Sequence, residues 1–146
     1  MNKLVTLILG IMVLTSCGLE KLNLKSDNFS YRKKVNGEWT NFTDWEPINV
    51  KVEIKKIPFS GFIRDDSGRV NINKCKFIIY DNPKISLRVV EKNEEIQEMD
   101  EEIVSFNCVD SHGEKCRLIL LDRGESIYAI IYYDNLNLRY NIIEVK

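Results

Sequence analysis

A chain of 146 residues is sized for one domain with a real core. With 21 basic and 22 acidic residues it lacks the basic excess that non-specific nucleic-acid binding requires, so no nucleic-acid partner is expected. Seven glycines and three prolines, with no repeat or low-complexity tract, exclude a fibrous or disordered chain.

The N-terminus comes first. Lys3 precedes an apolar and small-residue run from Leu4 to Leu14, followed by "LTSC". That is the charged start, short apolar stretch and small-residue cleavage zone of a signal peptide. It falls short of the roughly 20 apolar residues that a membrane span needs. Leu14-Thr15-Ser16-Cys17 resembles the lipobox of bacterial lipoproteins. The resemblance implies a signal peptide over 1–16, a lipid on Cys17, and a mature chain that starts there and is held to a membrane of the cell envelope. Gly18 in place of Asp implies the outer membrane over the inner. Loss of Lys3 takes the 21 basic residues to 20 against 22 acidic, a net charge of −2. The polar stretch 17–28 reads as a tether, and 29–146 as a single β domain.

Strand signals dominate the domain. "INVKVEIK" alternates Ile48, Val50, Val52 and Ile54 with polar residues, and "LNLRYNI" alternates Leu136, Leu138, Tyr140 and Ile142 with Asn137, Arg139 and Asn141. Further runs are "FSYRKKV", "GRVNIN", "CKFIIY", "ISLRVV", "EIVSFNC", "CRLILL" and "IYAIIYY". Turn residues separate them at 36–37, 65–68, 81–83, 111–113, 122–124 and 134–135. The pattern predicts an all-β fold, a single small antiparallel barrel or sandwich of about 8–10 strands. The acidic stretch 91–102 interrupts it; Ile96 and Met99 have helical spacing, so one short helix is expected there. A solvated charged face is the plainer reading of this stretch.

"NGEWTNFTDW" contains a two-residue turn signal, Asn36-Gly37, which sets Lys34 opposite Trp39 with Arg32 on the same face. Trp39 and Trp45 share a face if the strand is regular. Tryptophans of a small β domain most often belong to the core. The other reading is a binding surface made of Trp39, Trp45, Arg32 and Lys34, with cation–π contact. Gly37-Glu38-Trp39 is similar to the G-x-W signature of lipocalins. That resemblance implies a calycin-like barrel, the favoured fold, with Arg139 of the last strand over the tryptophan.

"FNCVDSHGEKCRL" places Cys108, His112 and Cys116 at four-residue steps. If residues 111–113 form a loop with Gly113 left-handed, Cys108 faces Cys116, Phe106 faces Leu118 and Val104 faces Leu120. All six then share one face, and directly opposed cysteines lie within disulfide range. His112 falls at the tip, about 10 Å of strand from either thiol. Tetrahedral zinc needs its ligands within about 2.3 Å. A Cys108–Cys116 disulfide is therefore expected and a metal site is not. Cys75 shares a face with Phe77 and Ile79 and reads as a buried thiol.

"NGEWTNFTDWEPINVKVEI", "FNCVDSHGEKCRLIL" and the lipobox together resemble small lipoproteins of Bacteroidetes-type bacteria with a compact β domain. No nucleophile–base arrangement, P-loop or dinucleotide glycine motif is readable, so neither catalysis nor a cofactor is expected. The expected function is a non-catalytic envelope lipoprotein that binds another macromolecule, as immunity-type and inhibitor-type proteins do. The alternative is a carrier of a small apolar ligand in a lipocalin-like barrel.

Overall fold

The computed structural model describes residues 23–56, 75–93 and 103–145. The stretch read as a signal peptide (1–16), Cys17, the strand read over 68–73 and the turn read at 65–68 lie outside these residues. The described chain forms β1 (Leu24–Val35), β2 (Glu38–Trp39), β3 (Glu46–Lys56), β4 (Cys75–Ile79) and β5 (Ile85–Asn93). β6 (Ile103–Asp110), β7 (Lys115–Asp122), β8 (Ile127–Tyr132) and β9 (Leu136–Glu144) follow. β1 starts inside the stretch read as a tether, so residues 24–28 belong to the barrel. No helix occurs among the described residues; β5 runs through Glu91 to Asn93, and 94–102 lies outside them.

Consecutive strands pair antiparallel from β3 to β9, β3 pairs with β1, and β1 closes on β9. Eight strands thus make a closed up-and-down barrel, and β2 extends β1 beyond it as a hairpin. Closure removes the exposed edges an open sheet would carry. Eight strands also enclose a space that side chains can just fill. They do so here. Phe77, Phe106, Leu87, Leu118, Leu120, Ile127, Ile131 and Ile142 are all 0% exposed, and Tyr140 is 2% exposed. A side chain with no accessible surface has no water-sized space beside it. The alternating residues Val52, Ile54 and Leu138 belong to or pack against this cluster, as their period of two requires.

Two bulges adjust the wall. In β1 the register shifts between Ser26 and Asn28: against β9 Asp27 is the extra residue, whereas against β3 the extra residue falls in β3, between Pro47 and Val50. Ser26, fully buried, donates from Oγ to the carbonyls of Asn28 and Asn141 at 3.0 and 2.9 Å. In β5 the shift between Val89 and Glu91 turns Val90 outward, where it is 37% exposed.

The β6–β7 hairpin has the predicted register, with Cys108 opposite Cys116 and Phe106 opposite Leu118. Gly113 has φ +84°, and its amide donates to Asp110 O at 3.1 Å. The expected disulfide is a correction: Cys108 and Cys116 are free thiols pointing into the barrel. Strand parity supplies the reason. Asp110 N donates to Glu114 O at 2.9 Å, which makes that a hydrogen-bonded pair. Pairs alternate, so Cys108–Cys116, two residues on, is hydrogen-bonded as well. At such sites the Cβ atoms stand about 5.5 Å apart, farther than at the intervening pairs and beyond the roughly 3.5–4.5 Å of a disulfide. Burial, first of all, pushes the Cys108 thiol up to about 12 and the Cys116 thiol up to about 11. The thiolate that oxidation requires is therefore scarce near neutral pH. Alkylation of the denatured protein without reductant, followed by peptide mapping, is expected to label both Cys108 and Cys116. An unlabelled linked pair would contradict this.

The topology gives the barrel two distinct ends. Leu24 and Glu144 lie at one, which we call proximal; they are paired to each other. The hairpin turn 36–37 and the connections at 80–84, 111–114 and 133–135 lie at the other, distal end.

Candidate functional site

The outer wall over β1, β9 and β8 carries an unusual stack. It begins at the β1–β2 hairpin, where Asn36 (φ 52°) and Gly37 (φ 82°) take the two left-handed positions of a type I′ turn. Lys34 then pairs with Trp39, as the turn signal predicts. Beyond Trp39 the chain stops behaving as a regular strand. Lys33 N donates to Thr40 Oγ1 and Tyr31 N to Thr43 Oγ1, both at 3.1 Å. Thr40 N and Thr43 N return bonds to Lys33 O and Tyr31 O at 2.8 Å. Two steps along β1 are thus matched by three along this segment. The extra residue lets Phe42 and Trp45 swing over the outside of the barrel.

There they interleave with arginines. The Arg32 guanidinium lies 5.0 Å from the Trp39 ring and 4.9 Å from Phe42. The Arg139 guanidinium lies 4.2 Å from both Phe42 and Trp45. Trp45 meets Tyr128 at 5.2 Å, and Arg123 caps Tyr128 at 5.1 Å. Read in order, Trp39, Arg32, Phe42, Arg139, Trp45, Tyr128 and Arg123 form one ladder from the distal to the proximal end. Polar bonds set the guanidinium planes. Arg139 Nη2 donates to Ser30 Oγ at 3.2 Å, and Ser30 Oγ donates to Thr43 O at 2.8 Å. Asn137, fully buried, accepts at its amide oxygen from Arg32 Nη2 and Nε at 2.9 and 2.7 Å. Burial lowers the Arg139 pKa, and Arg32 nearby lowers it further. Among the described residues no carboxylate pairs with either arginine, and Arg139 Nε has no partner.

The four residues read as a binding surface are only partly brought together. Trp39, Arg32 and Lys34 meet, with Lys34 Nζ 5.7 Å from the ring. Trp45 belongs to the far half of the ladder, because the segment between the tryptophans is not a regular strand. Neither tryptophan is in the barrel core; Trp39 is 37% exposed. Arg139 covers Trp45 rather than Trp39. Phe42, Tyr128 and Arg123 were not legible as members, although Trp39, Phe42 and Trp45 recur at every third residue. That spacing breaks the period of two of the neighbouring strands and marks an irregular aromatic segment.

A second feature is an open groove of about 850 Å³ at the distal end, lined by Lys84, Ile85, Asp110, Tyr133, Leu136 and Leu138 among others. Tyr133 donates from its hydroxyl to Asp110 Oδ2 at 3.0 Å. Asp110 Oδ1 also accepts from the amides of His112 and Glu114 at 2.9 Å. Burial raises the Asp110 pKa, but the amides of Glu114 and His112 outweigh it and hold the carboxyl below its ordinary value. Burial also raises the Tyr133 phenol. His112 is exposed at the loop tip while the two thiols point into the core. The groove therefore offers hydrogen bonds and apolar contact, with His112 at its rim.

Compared with protein families, with curated proteins and with solved structures, the chain finds no match.

Proposed function

We propose that this protein is a non-catalytic lipoprotein of the cell envelope, held through a lipid on Cys17, that binds another macromolecule with its outer surface in the manner of an immunity or inhibitor protein. One observation carries the reading. The barrel axis is filled by apolar side chains at or near zero exposure, which leaves recognition to the walls and the distal end. The direction of the chain supports it too. β1 begins at the proximal end, so a lipid on Cys17 would set the membrane on that side and leave the groove and the Trp39 hairpin facing away from it.

The test is capture of a partner from envelope extract by the tagged protein, with native mass spectrometry of the same sample. A protein partner and a bare protein mass are expected. A co-purified apolar molecule would favour the second reading, a small-ligand carrier, for which the open distal groove is the supporting feature.

A neighbouring part of the wall shows how such a surface responds to acid. Glu53 takes Lys51 Nζ at 3.0 Å, Lys55 Nζ at 3.2 Å and the Tyr80 hydroxyl at 3.0 Å. The Lys51 bond, foremost, lowers its pKa from 4.5 to about 2. A depressed carboxyl contributes stability above its unfolded value and loses it as pH falls through the folded value. The advantage of the parent over Glu53→Gln in melting midpoint is therefore expected to shrink between pH 4.5 and about 2. A constant difference across that window would rule this out.

A further inference from the structure

The wall formed by β3, β4 and β5 holds three cations directly across from one another. Lys55 pairs with Lys76, and Lys76 with Arg88, so the row crosses three strands at a spacing of about 4.8 Å. All three point outward, since their strand neighbours Ile54, Phe77, Leu87 and Val89 point into the core. Beyond Arg88 the register continues through Val109 to Lys115, a fourth cation.

Like charges directly opposed across strands work against folding. Little relieves them here. Glu53 engages Lys51 and Lys55, and among the described residues no carboxylate reaches Lys76 or Arg88. Tyr80 and Val90, 36% and 37% exposed, supply apolar contact on the same strands or at their ends. A row that opposes folding, and that no carboxylate among the described residues compensates, is what an external carboxylate-rich surface would satisfy.

We propose that this wall is the docking face for an acidic protein partner, whose carboxylates fill the row from Lys55 to Lys115. The proposal rests on the macromolecule-binding reading above and names the surface and the partner's chemistry.

Lys76→Glu is the decisive variant, because it turns two repulsive pairs into two attractive ones. It is expected to melt at a higher temperature than the parent while losing affinity for labelled poly-L-glutamate by about tenfold at low salt. The measurement uses the full-length protein in a neutral detergent, by fluorescence anisotropy. Lys33→Glu, an equal change of charge at the distal rim, is expected to keep the parent affinity within about twofold. Equal loss in both variants, or none in Lys76→Glu, overturns the proposal. So does binding to phosphatidylglycerol vesicles without binding to poly-L-glutamate, which would assign the wall to lipid. If Lys76→Glu still captures the envelope partner as the parent does, the docking face is wrong while the binding-module reading survives.

Discussion

Phe106→Ala is expected to destabilise the barrel by about 3–5 kcal/mol, the range for removing a fully buried phenylalanine. Phe106 is 0% exposed and opposite Leu118, also 0% exposed, in the β6–β7 ladder. Truncation removes the transfer free energy of the ring and leaves a void. A barrel closed by hydrogen bonds on every side cannot contract to fill it. Against a total stability of about 5–15 kcal/mol, the variant remains folded unless the parent lies near the bottom of that range. Urea denaturation checks the size: the midpoint falls sharply at constant m value. The same variant bears on function. A parent with a filled interior takes up no small apolar molecule there, whereas a dry void lined by leucine and isoleucine can bind benzene. Benzene binding by the variant alone supports the filled barrel. A loss below about 1 kcal/mol would mean that the ring is not packed as described.

Arg139→Ala is expected to cost about 2–3 kcal/mol, large for a residue on the outside of a barrel. Two ring contacts at 4.2 Å contribute about 0.5–2 kcal/mol each, depending on how far water is excluded. The bond to Ser30 contributes about 1 kcal/mol. The unpartnered Nε works the other way, since truncation relieves the burial of a donor without an acceptor. The ring contacts win because they are two and both are close. Arg139→Lys is expected to recover little, as an ammonium cannot lie flat between two rings. Denaturation followed by tryptophan fluorescence reads both the stability and the release of Trp45. A lysine variant as stable as the parent would overturn the stacking account.

Much of the scaffold was legible in the residue order because its signals are local. Alternation in "INVKVEIK" and "LNLRYNI" places one face in the core, and Asn36-Gly37 and Gly113 set two hairpin registers through φ values that few residues accept. The thiol pair shows where local reasoning stops. Opposition of Cys108 and Cys116 follows from the turn, but whether an opposed pair is hydrogen-bonded depends on which residue's amide closes the loop, here that of Asp110. The ladder was legible only in its hairpin half. Trp39, Arg32 and Lys34 meet within eight residues, whereas Arg139 and Tyr128 reach Trp45 only after the barrel has closed.

The amino-acid order by itself determined an antiparallel β domain, its main turns and its hairpin registers, since each depends on a period of two and on turn residues a few positions apart. Barrel closure, the filled axis, the reduced thiols, the arginine–aromatic ladder and the cationic row were decided by tertiary structure. Pairing of β1 with β9 joins residues more than a hundred positions apart, and no local pattern specifies that contact. Charge makes the same point. A near-neutral composition sums over the whole chain, but strand register chooses which charges stand side by side, and here it sets Lys55, Lys76 and Arg88 in a row.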